Sequence, residues 1–254
     1  MNSLCTPPDQ SAYATGRMAR EGDRLFRPGG LELTARAVAL ASLGAGATVL
    51  DLGCGSGDSV RYLCTLGIDA IGIDLRSGIG KEPEHGLPLR AHVVARAEDL
   101  PFPDGSVDGV LAECSLSVMQ DRECVLTECS RVLRNGGHLM ITDLYARQPD
   151  AIAQVRALKR SCVSGMIVRE ELEAALARHG FTLDHWEDHS QALRECAARF
   201  ILEHGSLQGL WNCDAETAST EDISGAMRAV RAGYFLLIAT RNRRSQRHKG
   251  TDYE

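Results

Sequence analysis

The chain of 254 residues has no apolar run near the ~20 residues that a membrane-crossing helix needs, so no membrane partner is expected. The stretch Met1 to Gln10 lacks the basic patch and following apolar segment of a secretory leader. A cytoplasmic location is the resulting expectation. An excess of positive charge is also absent. The 28 Lys and Arg against 34 Asp and Glu leave a formal charge of −6, the wrong sign for a nucleic-acid scaffold. Cysteine is plentiful, but its nine copies form no C-x-x-C pair, which argues against a zinc ribbon or a thioredoxin-type centre. No metal is expected. Internal repeats and low-complexity tracts are missing as well.

What is present is an alternation of short apolar runs and helical patterns. Thr48–Leu52, Asp69–Leu75, His92–Ala95, Val107–Glu113 and His138–Asp143 read as five strands. Helices are expected at Leu31–Leu43, Asp58–Leu66 and Arg122–Leu133, and Asn135-Gly136-Gly137 reads as a turn before the fifth strand. Such alternation predicts an α/β fold, a doubly wound, mostly parallel sheet covered on both faces. The glycine- and proline-rich stretch Arg76–Arg90 interrupts it as a loop. Helical patterns then dominate at Asp150–Ser161, Arg169–His179, Gln191–His204 and Glu221–Val230. Strand-like runs at Phe181–Trp186 and Tyr234–Thr240 punctuate them. The long stretch between those two strands is too long for a plain loop and reads as a helical insertion over the ligand edge of the sheet.

The most informative segment is Val49-Leu50-Asp51-Leu52-Gly53-Cys54-Gly55-Ser56-Gly57-Asp58. A buried strand ends, glycines turn the chain, and a helix starts with free N–H groups, which makes a small-molecule site at the carboxyl edge of the sheet. A dinucleotide site wants glycine at the sixth position counted from Gly53, and Asp58 stands there. A carboxylate would repel a diphosphate. Asp51 and Asp58 suit a ligand with a positive centre and no phosphate, such as S-adenosylmethionine (SAM), which carries a sulfonium and an ammonium. Asp74, 17 residues after Gly57, ends the second strand and can take both ribose hydroxyls. Leu75 can then pack on the adenine face.

Here the chain resembles a known family. Asp51–Asp58, Asp74, Glu98-Asp99-Leu100-Pro101-Phe102, Val107–Cys114 and Arg131-Val132-Leu133-Arg134-Asn135-Gly136-Gly137 are similar, in order and spacing, to successive motifs of class I SAM-dependent methyltransferases of the small-molecule, type 11 kind. The resemblance implies a Rossmann-like seven-stranded sheet whose last strand is antiparallel, and a small-molecule methyl acceptor. It implies that Asp51 and the backbone at Gly53, Gly55 and Gly57 face the methionine part and that Asp74 takes the ribose. It further places the Ala97 backbone and the Glu98 side chain near the adenine, and Cys114 beside the transferable methyl. One position departs from the pattern. Arg96 stands where many relatives have an aspartate that accepts from the adenine amino group, and arginine only donates. The expected organisation is an irregular lid segment over 1–28 and a SAM-binding core over 29–145. A C-terminal half over 146–240 carries the acceptor lid and the last two strands, and a basic flexible tail occupies 241–254. Nothing in the sequence specifies an oligomeric state.

A narrower similarity, to arsenite methyltransferases, appears at Ala112–Ser117, Thr142–Ala146 and Ser161–Met166. In that group the cysteine matching Cys162 is an arsenic-binding thiolate, the right chemistry for a soft metalloid. It would make Cys162 and Cys114 candidate catalytic residues. That group uses a further thiolate from its C-terminal half. Only Cys196 and Cys213 are available here, neither in a matching motif, and Glu113 replaces an asparagine. Cys64 and Cys129 read as core residues, Cys54 as a small loop residue, and Cys5 and Cys124 as incidental. His185 and His189 flank a strand end, where His189 or Asp188 could serve as a base. Trp186 and Trp211 read as packing residues. The non-enzyme alternative is a SAM-binding regulator or partner protein that transfers nothing. A nicotinamide dehydrogenase is disfavoured by Asp58.

Overall fold

The structure is a computed structural model of the chain, and the residues it describes are 20–21, 24–25, 27–76, 92–158, 163–205 and 220–242. One sheet contains β1 (Thr48–Leu52), β2 (Asp69–Asp74), β3 (His92–Val94), β4 (Val107–Glu113), β5 (Leu133–Tyr145), β6 (Phe181–Asp188) and β7 (Gly233–Arg241). The strand order is β3-β2-β1-β4-β5-β7-β6. The first five strands pair in parallel, and β7 runs antiparallel to both β5 and β6. The order reverses between β1 and β4. The chain therefore leaves their carboxyl ends toward opposite faces and opens a crevice there.

Both faces of the sheet are covered, which is why its strands read as nearly unbroken apolar runs. Along β7, Tyr234, Leu236 and Ile238 enter one core while Phe235, Leu237 and Ala239 enter the other, the period-two alternation of a strand. The first core is closed by α1 (Gly30–Leu40), α2 (Asp58–Thr65), α4 (Ile152–Arg156), α6 (Ser190–His204) and α7 (Thr220–Ala229). The second is closed by α3 (Arg122–Val132) and α5 (Arg169–Arg178). The start of α3 is set by Asp121, whose carboxylate accepts from the Cys124 N–H at 3.0 Å. The expected insertion is present as α6 and α7, leaving the sheet at the end of β6 and returning at the start of β7. Residues 206–219 between them lie outside the described residues, as do most of the 1–28 segment and residues 243–254 of the tail.

Two expectations need correction. Asn135-Gly136-Gly137 is not a turn ahead of the fifth strand but lies inside β5. Val107 pairs with Leu133 and Gly109 with His138, so the surplus residues of β5 bulge beside Asp108. Gly136 takes a positive φ of 77°, and a Cβ on Gly137 would sit only 3.0 Å from the Asp108 carbonyl oxygen. Glycine is what lets the strand continue through the bulge. The helix expected over Asp150–Ser161 is shorter. A single 3₁₀ turn at Pro149–Ala151 leads into α4, whose one buried residue is Val155; so small an apolar face does not support a longer helix.

Beyond α4, residues 163–167 are tied to the end of β5. The Ile167 N–H donates to the Leu144 carbonyl at 3.1 Å, and the Ala146 N–H donates to the Ile167 carbonyl at 2.8 Å. Gly165 lies directly on the backbone after β4, where a Cβ would overlap the Ser117 carbonyl oxygen. Ser117 cannot retreat, because its N–H and hydroxyl both donate to buried Asp143, at 2.8 and 2.7 Å. Arg122 donates to the Gly165 carbonyl from the other side. Gly165→Ala is expected to destabilise the fold by about 1–3 kcal/mol through overpacking. Gly225→Ala, in the middle of α7 with open space around its Cα, is expected to stabilise it by ~0.5–1 kcal/mol. Urea midpoints at unchanged m-value check both.

Candidate active site

The loop after β1 traces a path that side-chain-bearing residues rarely follow. Gly53, Gly55 and Gly57 have φ of 73°, 52° and 79°. The loop is hung from β2, because the Gly53 and Cys54 N–H groups both donate to the Ile73 carbonyl, at 2.8 and 3.1 Å. The Cys54 side chain turns inward onto Gly72, where a Cβ would come within 2.7 Å of its sulfur. Burial, with Asp51 and Asp74 nearby, raises the pKa of that thiol well above the ordinary range, so it stays neutral.

Asp74 ends β2 beside this loop. Its Oδ2 accepts from the Gly55 N–H at 3.1 Å, and its Oδ1 accepts from the Arg76 N–H and Nε at 3.0 and 3.2 Å. Leu75 is half exposed at the rim. Ala97 and Glu98 follow β3. The Ala97 side chain belongs to the core. Glu98 accepts from the Gln120 N–H at 3.2 Å, and Arg96 donates to the Gln120 side-chain oxygen at 2.9 Å. The guanidinium expected to be a poor partner for adenine is thus engaged in tying the loop after β3 to the loop after β4.

At the end of β4, Cys114 has a φ of 52°. Its Sγ lies 2.9 Å from the Tyr234 hydroxyl, which donates to Thr142 Oγ1 at 3.0 Å. Burial raises both the thiol and the phenol pKa above their usual ranges, so Cys114 is a thiol, not a thiolate. Ser115 is buried against Gly53, and its hydroxyl has no hydrogen-bond partner among the described residues.

The sequence reading missed Glu113 and Arg27. Glu113 is 7% exposed, and its Oε2 meets the Arg27 guanidinium at 2.5 Å. Thr34 of α1 donates to Glu113 Oε1 at 3.1 Å, and Ser59 of α2 donates to Oε2 at 2.8 Å. Both hydroxyls also accept from Arg27, at 2.5 and 2.8 Å. Asp51, on neighbouring β1, is 3% exposed and receives no hydrogen bond among the described residues. Burial, reinforced by Glu113 and Asp74 and opposed by Arg27, pushes its pKa up to about 8. A charged residue closing the apolar run Val110–Ala112 was the available signal for Glu113, since an unpaired charge is costly inside a sheet.

Asp51, Gly53, Gly55, Gly57, Asp74, Leu75 and Cys114 therefore gather at the carboxyl ends of β1, β2 and β4, with Ala97 and Glu98 on the same edge after β3. Cys162, Cys213 and Trp211 lie outside the described residues. Cys196 is buried on α6. The two candidate bases are committed elsewhere. Asp188 accepts from the Ser190 N–H at 2.7 Å and the Tyr145 hydroxyl at 3.0 Å. His189 hydrogen-bonds Glu187 at 2.9 Å. Both sit at the end of β6, three strand spacings or roughly 14 Å from β4. Trp186 stacks on Phe235 with ring centroids 4.3 Å apart and is a packing residue.

Residues 50–141, which carry the glycine loop, Asp74 and the end of β4, match a methyltransferase domain model. The chain is 36% identical over 212 residues to O-methyltransferase resE of Aspergillus sclerotiorum, covering 79% of this chain and 76% of that protein. It is 32% identical over 157 residues to an arsenite methyltransferase of Aquipseudomonas alcaligenes, covering 54% of this chain and 44% of that one. Among solved structures, geranyl diphosphate C-methyltransferase from Streptomyces coelicolor, determined with Mg2+, geranyl diphosphate and S-adenosylhomocysteine, shares the fold. The TM-score is 0.58 at 20% identity, over 82% of this chain and 77% of that chain. With the glycine loop inside the matched domain and a relative aligned over most of both chains, this chain belongs to the class I SAM-dependent methyltransferases that act on small molecules.

Proposed function

We propose that this enzyme methylates an acidic hydroxyl of a small organic molecule, and that the carboxyl edge of β1, β2 and β4 holds the SAM. The observation that carries the acceptor reading is Cys114, a half-buried, protonated thiol hydrogen-bonded to Tyr234. A soft metalloid needs thiolates, and among the described residues no three His, Cys, Asp or Glu side chains converge as a ligand set. The Aspergillus relative is an O-methyltransferase, which agrees with an oxygen nucleophile. Asp188 and His189 are remote and engaged, so a hydroxyl that ionises in water suits this edge better than an alcohol that needs a general base.

The residues present fit SAM. Asp51 is a buried acid with no hydrogen-bond donor among the described residues, the glycines leave the loop backbone bare, and Asp74 is an acid at the end of the second strand. When bound, SAM supplies a methyl group already activated on its sulfonium. The chain's part is binding and alignment. Asp51 attracts the ammonium, and the backbone at Gly53, Gly55 and Gly57 lies along the methionine and ribose. Leu75 covers one adenine face, Glu98 and the Ala97 backbone border the adenine edge, and the Cys114 backbone borders the methyl. A carboxylate has about four acceptor sites, and three at Asp74 are taken. A bidentate ribose contact therefore displaces Arg76 Nε, the one donor of the three on a movable side chain.

The second reading is a metalloid acceptor, favoured by the resemblance at Ser161–Met166 and by the Aquipseudomonas relative. Its thiolates would be Cys162 and Cys114.

Asp74→Ala should weaken SAM binding ten- to a hundredfold, since hydrogen bonds to a charged group are worth about 1.5–3 kcal/mol each. Unchanged affinity by calorimetry in the folded variant would remove the ribose assignment. Incubation with labelled SAM and a panel of phenols, enols, alcohols, amines and arsenite with excess thiol, read by mass spectrometry, should give methylated phenols or enols. The rate should climb with pH as the acceptor ionises. Cys162→Ser should leave SAM affinity unchanged and alter activity only a few-fold. Efficient wild-type methylation of arsenite that the serine variant abolishes would establish the metalloid reading instead.

A further inference from the structure

The buried polar cluster under the glycine loop contains more charge than the cofactor reading uses. Two carboxylates, Asp51 and Glu113, end adjacent strands, and one guanidinium, Arg27, reaches them from the segment before α1. The guanidinium is not shared equally. Arg27 makes its ion pair with Glu113 at 2.5 Å. It is also held by Thr34, Ser59 and the Gly30 carbonyl, the last at 3.3 Å. Those two hydroxyls accept from Arg27 and donate onward to Glu113, so both Glu113 oxygens are engaged. Asp51 has no donor among the described residues. The cluster therefore contains one paired acid and one acid with no partner of its own.

We propose that Arg27 is a positioning residue for the methionine end of SAM: it neutralises Glu113, leaving Asp51 as the single buried acid for the ligand's ammonium. The inference rests on the reading that Asp51 faces the ammonium. Removing the guanidinium would leave two like charges facing each other out of water, and repulsion would hold Asp51 protonated to still higher pH. A protonated Asp51 cannot attract a cation. Among the described residues, the charged groups that face Asp51 are Glu113 from β4, Arg27 from the segment before α1, and Asp74 from β2. Two of these three raise its proton affinity and only Arg27 opposes them. The same contacts bind that segment to α1, α2 and β4, so its seating and the charge state of the cofactor site are one equilibrium.

The experiment is calorimetric binding of SAM and of S-adenosylhomocysteine, both of which carry the ammonium, to the full chain between about pH 6 and 9.5. Arg27→Gln should weaken binding at neutral pH at least tenfold and move the rise of affinity with pH to higher pH. Glu113→Gln should move it to lower pH, because the repulsion is gone. Opposite shifts from two bonded residues are a signature that a merely structural contact would not produce. The double variant Arg27→Gln, Glu113→Gln removes both charges together and should return affinity to within about threefold of the wild type. It also decides the matter if Arg27→Gln alone fails to fold. A double variant as weak as a folded Arg27→Gln, or weakened tenfold or more where that single variant does not fold, would mean that Arg27 touches the ligand itself and would overturn the proposal. Arg27→Gln with unchanged affinity and pH profile would overturn it too. Asp51→Asn separates the two claims. If it binds SAM as well as the wild type, the reading of Asp51 fails, whatever Arg27 does.

Discussion

Taking Asp51 and Glu113 out of water at the ends of adjacent strands costs several kcal/mol for each charge unless each is met by opposite charge and hydrogen bonds. The neighbourhood of the site is arranged around that cost. For Glu113 the compensation is internal, from Arg27, Thr34 and Ser59. For Asp51 it is incomplete, and its pKa rises to about 8. An ammonium brought beside Asp51 would supply the missing opposite charge and favour its ionised form. On the proposed reading of Asp51, this is the physical basis for preferring a sulfonium and ammonium ligand to a diphosphate at a glycine loop of otherwise common shape.

The loop and the strand order complete the geometry. Reversal of order between β1 and β4 spreads their exits apart, and the left-handed glycines bring bare backbone up to the crevice. Asp74 then fastens loop to strand by accepting from the Gly55 N–H. On the far side, Asp143 secures the backbone after β4 through Ser117, and Gly165 lets the segment after α4 lie directly against it. The carboxyl edge at β4 and β5 is thus built from backbone fixed by a buried carboxylate.

Cys54, Cys129 and Cys196 are buried and Cys114 is half-buried, each where the thiolate is disfavoured. They serve as small apolar residues with a weak donor. At Cys114 that donor is part of a chain running through Tyr234 to Thr142, which joins β4, β7 and β5 beside the site. Tyr234 lies far along the chain from the glycine loop, and nothing local in the sequence links the two.

The parts legible in the sequence were those set by local rules. Apolar runs marked the parallel strands, because burial on both faces leaves little alternation. The glycines and Asp58 excluded a dinucleotide, because positive φ and electrostatic repulsion act within a few residues. Asp74 followed from the spacing of one helix and one strand. Tertiary structure decided what depends on distant partners. It kept Asn135-Gly136-Gly137 inside β5 as a bulge beside Asp108, where a turn had been the local reading. It shortened α4, whose neighbours bury little more than Val155. It made Cys114 a neutral thiol, because proton affinity depends on burial and on Tyr234. It also brought Arg27 to Glu113 and left Asp51 without a donor among the described residues. Sequence determines which residue types are available at the edge of the sheet; which of them stay charged is an electrostatic property of the assembled fold.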